Sequence, residues 1–117
     1  MKLFALYFSI FTSHYDLIVI VANSTVHELT IDNAYQEFVR ETILLEDATY
    51  AVFEFRNTIL QMYKTARFAS NNFPYVFTVG NESYSTHLYN RPLSVNYQHG
   101  IFLRAYVDHK LTVRIRL

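Results

Sequence analysis

The residues of this chain able to do chemistry are five histidines, His14, His27, His87, His99 and His109, and the carboxylates Glu28, Asp32, Glu37, Glu41, Glu46 and Asp47. No two histidines stand at the i, i+2 or i, i+4 spacing that lets two imidazoles share one metal ion, so the sequence implies no metal site. The carboxylates could form a general acid/base pair, but they recur at the spacing of a solvated helix face, which is the simpler reading. Cysteine is absent. Disulfides, thiolate metal ligation and cysteine-nucleophile catalysis are therefore excluded. No metal or other cofactor is expected from these residues.

Two further patterns carry chemistry. Asn23-Ser24-Thr25 and Asn81-Glu82-Ser83 fit the N-x-[ST] acceptor rule, and both fall at strand ends or turns, where an amide is reachable. Arg104, Arg114 and Arg116 with Phe102 and Tyr106 could form a basic, aromatic sheet face able to stack bases. Ten basic residues against ten acidic ones supply none of the basic excess that phosphate binding needs. The same residues are expected instead on the polar side of a half-buried antiparallel sheet, and no nucleic-acid partner is expected.

The elements that must position these groups are mostly strands. At 117 residues and 51% hydrophobic, the chain has the size of one domain with one core. Its ten Tyr and ten Phe, its many Val, Ile and Thr and its two Gly favour strands. Tyr15 to Ala22 is a short β-branched apolar run, read as a buried strand. From Asp32 to Glu46, Tyr35, Phe38, Val39, Thr42 and Ile43 recur at helical spacing, with Asp32 or Asn33 as the expected N-cap. The stretch Ala48 to Phe68 alternates loosely; a strand is expected at Tyr63 to Phe68 and the first half stays open. Tyr75 to Val79 reads as a strand ended by a Gly80-Asn81 turn. Gly100 to Val107 and Leu111 to Leu117 alternate as two further strands, joined by a hairpin loop at Asp108-His109-Lys110.

Lys2 and the apolar run Leu3 to Phe11 are signal-like, but they serve equally as a replaced first strand of a truncated module. A single membrane span over residues 3 to 22 would place Asp16 in hydrocarbon at about 3 kcal/mol.

From Tyr63 onward the chain resembles the membrane-proximal fibronectin type III-like domain of receptor-type protein tyrosine phosphatases. Pro74, Phe77 and Gly80 keep that family's Pro-x-x-Phe-x-x-Gly step, Asn90-Arg91-Pro92-Leu93 matches its Asn-x-Pro-Leu element ten residues on, and Phe102-Leu103-Arg104-Ala105 matches its Phe-x-Arg-Ala strand end. Upstream, His14-Tyr15-Asp16 running into Ile and Val is similar to the family's His-Tyr-Tyr strand. The family's corner tyrosine, whose hydroxyl pins the sandwich, falls at His99. Either His99 replaces that contact or Tyr97 supplies it from a shifted position.

The resemblance implies a mainly β, fibronectin type III/immunoglobulin-like antiparallel β-sandwich spanning residues 1–117. It would be incomplete at its N-terminus (1–13 signal-like or replaced), with an insertion over 23–62 that is partly helical at about 30–62. It further implies a non-catalytic glycoprotein module on the extracellular side of the plasma membrane, the phosphatase activity lying in another domain of the parent receptor. Its partners would be a protein ligand or neighbouring receptor domains, and it would meet the membrane only through that parent. Tyr84, His87, Tyr89 and Arg91 are the expected contact surface, and Asn23 and Asn81 the glycosylation candidates. The reading set against it is a small β-rich intracellular enzyme or ligand carrier, in which His87, His99 and acidic residues would converge in an apolar cleft.

Overall fold

The computed structural model describes residues 2–4, 14–23, 26, 28–39, 49–69, 71, 76–85, 87–107 and 110–116. In chain order these form β1 (Lys2–Phe4), β2 (His14–Ala22), α1 (Glu28–Ala34) running into a π-helical turn (Tyr35–Val39), β3 (Tyr50–Phe55), β4 (Thr58–Ala69), β5 (Val76–Thr78), β6 (Tyr84–Ser85), β7 (Leu88–Tyr89), β8 (Gln98–Val107) and β9 (Lys110–Arg116). The chain is mainly β. Five strands form one antiparallel sheet in the order β3-β4-β2-β8-β9, while β1 pairs with β5 and β6 with β7, each antiparallel.

β2 sits at the centre of the large sheet, between β4 and β8, and every one of its nine residues is buried. A strand covered on both faces needs apolar residues in succession rather than in alternation, which Leu17-Ile18-Val19-Ile20-Val21 supplies with β-branched side chains suited to the pleat. On one face Ile18, Ile20 and Ala22 join Phe53, Leu60, Met62 and Phe102 beneath Ile31, Ala34 and Tyr35 of the helical segment. The Tyr35 and Phe102 rings stack there at 4.0 Å, 5° from parallel. On the other face Tyr15, Leu17, Val19 and Val21 join Tyr63, Ala66, Ile101, Leu103 and Ala105 beneath Val79, Phe77 and Leu93. Each large aliphatic side chain so covered contributes about 1.5–3 kcal/mol.

The helix begins at Glu28, earlier than the apolar spacing predicts, and both Asp32 and Asn33, expected as its cap, lie inside it. Ile31, Ala34 and Tyr35 stand at i, i+3 and i+4 and dock on the sheet, so tertiary burial sets the start. Residues 40–48, which hold the rest of the expected helix, lie outside the described residues.

The stretch left open by its pattern is a hairpin. Phe55 pairs with Thr58 across the two-residue turn Arg56-Asn57, and both turn residues have positive φ (49° and 64°), the type I′ arrangement that matches strand twist. Arg56 stacks its guanidinium over the Phe55 ring at 4.8 Å.

In β4 the register against β2 steps from Leu17↔Ala66 to Ile18↔Lys64, leaving Thr65 as the extra residue of a bulge. Thr65 and Ala66 therefore both serve the β5 side of the sheet, while Lys64 and Arg67 both reach the opposite face.

Candidate functional site

Three strands deliver a cluster of charge to the face that the helix covers at its other end. Asp16 of β2 pairs across β4 with Arg67 and across β8 with Arg104, and His14 pairs with Tyr106. The Asp16 carboxylate accepts from Arg67 Nε at 2.7 Å and Nη2 at 3.0 Å, a bidentate fork, and Lys64 Nζ lies 3.0 Å from Oδ2. The Lys64 and Asp16 side chains are fully buried and Arg67 is 21% exposed. Arg104 is also fully buried, with its guanidinium 5.5 Å from the Tyr106 ring centre, and His14 stacks on the same ring at 4.4 Å.

The electrostatics follow from that geometry. Burial pushes the Asp16 carboxyl up, but Arg67's hydrogen bond, the Lys64 and Arg67 charges and Lys64's own hydrogen bond outweigh it and hold the group below the usual carboxylate range. Burial holds the Lys64 ammonium below its ordinary value despite Asp16, with the Arg104 and Arg67 charges acting in the same direction. Burial pushes the Tyr106 hydroxyl up to about 12, opposed by the Arg104 charge and reinforced by Asp16. Among the described residues the cluster sets one carboxylate, Asp16, against Arg67, Arg104 and Lys64. Its chemistry is that of an ionic clamp between β2 and β4, with Arg104 of β8 opposite Asp16 in the ladder.

The second constellation is neutral and lies on the opposite face. Asn90, 1% exposed, accepts at Oδ1 from Thr65 Oγ1 (2.7 Å) and Gly80 N (2.6 Å), and donates from Nδ2 to Thr78 O (2.8 Å) and Asn81 Oδ1 (2.7 Å). All four hydrogen-bonding positions of the amide are thus filled. Gly80 has φ +87°, and a Cβ there would lie 3.2 Å from both Cγ and N of Leu93, so the position needs glycine for conformation and for space. Phe77 meets Phe68 edge-on at 5.1 Å. Ser85 of β6 accepts from Arg67 N and donates to Arg67 O, docking the β6–β7 hairpin on β4.

The expected corner residues part company. His99 Nε2 accepts from the Ser94 backbone N–H at 3.3 Å, while the Tyr97 side chain is exposed and its backbone N–H donates to Ser94 O. Burial lowers the His99 pKa, and a backbone hydrogen bond to Tyr97 opposes this. Of the expected contact surface, Tyr84 is 73% exposed and pairs across the ladder with Tyr89, their rings 5.1 Å apart. Arg91 is exposed and lies 4.8 Å from the Tyr50 ring and 4.9 Å from the Tyr63 ring. His87 is exposed in the turn between β6 and β7, on a different element from His99 in β8. Asn23 and Asn81 are both exposed. His27, Glu41, Glu46, Asp47 and His109 lie outside the described residues.

Phe102, Arg104 and Tyr106, expected on the polar side of a half-buried sheet, are buried. That face is closed by the helical segment at Phe102 and filled by the ionic cluster at Arg104, which removes Phe102, Arg104 and Tyr106 as a base-stacking surface; the side chains of Arg114 and Arg116 lie outside the described ones. The cluster itself escaped the sequence reading. Its one signal was Asp16 inside an apolar strand, since a buried carboxylate demands cations; which cations answer depends on register and on the Thr65 bulge. Comparison with protein-family models, with curated proteins and with solved structures finds no match for this chain. Among the described residues, no helix is long and apolar enough to cross a membrane.

Proposed function

We propose that this chain is a non-catalytic, fibronectin type III/immunoglobulin-like sandwich module from the extracellular part of a receptor-type protein tyrosine phosphatase. It acts there in cell-surface recognition, self-association or spacing. The strand order carries this reading. In such sandwiches one sheet runs C-F-G and the other holds B beside E. Here β2-β8-β9 has the C-F-G order with the hairpin-linked pair last, and β4 lies beside β2 where a C′ strand belongs. The separate β1–β5 pair falls where B and E belong, with Phe77 of β5 on the core of the large sheet.

The family-like residues support the same reading by meeting in space. Gly80 and Asn90, ten residues apart, are hydrogen-bonded, and Leu93 closes on Gly80. His99 takes the place of the corner hydroxyl, reaching back to the backbone a few residues upstream as the corner tyrosine does. The Tyr84–Tyr89 ring pair, and the exposed Arg91 over the exposed Tyr50, have the aromatic and cationic composition that protein interfaces favour.

The coding sequence flanking this chain tests the proposal. The expected finding is a downstream apolar span of about 20 residues followed by a domain with a cysteine nucleophile. A continuous reading frame with neither would overturn it.

A further inference from the structure

Asn81 combines an exposed position with an acceptor sequence and a side chain already committed through only one of its two branches. Its Oδ1 accepts from Ser83 N (2.9 Å), Ser83 Oγ (2.6 Å) and Asn90 Nδ2 (2.7 Å). The carboxamide is planar, so with Oδ1 turned onto these three donors Nδ2 is directed away from them. Glu82, between Asn81 and Ser83, has φ +66°, which folds the tripeptide so that the serine hydroxyl reaches the asparagine.

We propose that Asn81 is an N-glycosylated residue whose side chain does two jobs: Nδ2 carries the glycan, and Oδ1 anchors the β5–β6 turn to Asn90. The inference rests on the extracellular reading above, since only a chain entering the secretory route meets the co-substrate. That co-substrate is an oligosaccharide linked to a lipid diphosphate. Nδ2 bonds to its anomeric carbon, the bond from that carbon to the diphosphate oxygen breaks, the lipid diphosphate leaves with the electron pair, and one amide proton passes to a base. The product is still an amide with an intact carbonyl oxygen, so all three donors keep their acceptor. Modification on the extended chain therefore leaves the turn free to close around Oδ1 unchanged.

The test is expression of the full chain behind an added secretory leader in a eukaryotic cell, with glycosidase treatment and peptide mass mapping of both the retained and the exported pools. The expected result is a glycan on Asn81, kept in Ser83→Thr and lost in Asn81→Asp. The Asp variant preserves the acceptor oxygen and so is expected to be exported like the parent; Asn81→Gln moves that oxygen and is expected to lower export. An exported chain with a bare Asn81 overturns the inference while leaving the extracellular reading standing. A chain that carries the glycan but is wholly retained overturns the extracellular reading and leaves the modification standing. Equal export of Asn81→Gln and Asn81→Asp removes the anchoring role.

Discussion

Replacing Asp16 by asparagine is the most direct test of the ionic clamp, because it removes one charge and almost no volume. The carboxylate faces a bidentate Arg67 and the Lys64 ammonium, all within 3.0 Å, and Lys64 and Arg104 are buried with it. Asparagine can accept fewer of these bonds, and it brings no negative charge against the mutual repulsion of Lys64, Arg67 and Arg104. Removing one partner of a buried ion pair costs about 3–5 kcal/mol. Set against a domain stability of about 5–15 kcal/mol, that is about a fifth or more of the total.

The sign of a second substitution separates this account from simple loss of packing. Lys64→Met alone leaves Asp16 its fork with Arg67 and exchanges a desolvated ammonium for an apolar side chain of similar length, so it costs less than Asp16→Asn. In the double variant the methionine also relieves the repulsion, so Asp16→Asn/Lys64→Met is expected to be more stable than Asp16→Asn. Equilibrium urea unfolding at constant m reads each difference. An Asp16→Asn variant within about 0.5 kcal/mol of the parent, or a double variant weaker than Asp16→Asn, refutes the reasoning.

The remaining expectations are smaller in scope. Asn90→Asp replaces the donor that serves Thr78 O and Asn81 Oδ1 by an acceptor facing two oxygens, and is expected to lower stability by about 3 kcal/mol or more, read as a fall in urea midpoint. Gly80→Ala forces a side chain into a left-handed conformation against Leu93, costing about 1–2 kcal/mol in the same assay. His99 has a folded pKa below its ordinary 6.5. The unfolded chain therefore takes up the proton first, and the contribution of His99 is full above pH 6.5, falls as pH drops below that value, and is gone under the folded pKa. Unfolding measured against pH should show this slope in the parent, and His99→Tyr should abolish it while keeping a contact to the Ser94 backbone.

What the sequence disclosed follows from how each strand is covered. β2 and β8 show as apolar or alternating runs because their pairing with each other is regular from His14↔Tyr106 to Ala22↔Gln98. The turn at Gly80 shows because glycine is the residue that φ +87° requires. β4 resists reading for a definite reason: the Thr65 bulge resets the alternation, so Tyr63, Thr65 and Ala66 serve one face and Lys64 and Arg67 the other. No fixed period fits that order. The helix start was hidden because Glu28 to Asn33 carries just two large apolar residues, Leu29 and Ile31, too few to set a period, and the burial of Ile31 against β2 and Phe102 reveals the element.

The same bulge explains why the two constellations exist on opposite faces of one strand. In an uninterrupted strand residues 64 and 67 would point to opposite faces, and Asp16 could meet only one of them. The extra residue turns Arg67 back onto the face of Lys64, which completes the charge around Asp16, and it simultaneously presents the Thr65 hydroxyl to Asn90 on the other side. Asn90 then holds Gly80, Thr78 and Asn81, and Arg67's backbone holds Ser85 of the β6–β7 hairpin. The hairpin that carries Tyr84 and Tyr89 is thus positioned through β4. A change in the ionic clamp is therefore expected to be felt at that hairpin through the bulge.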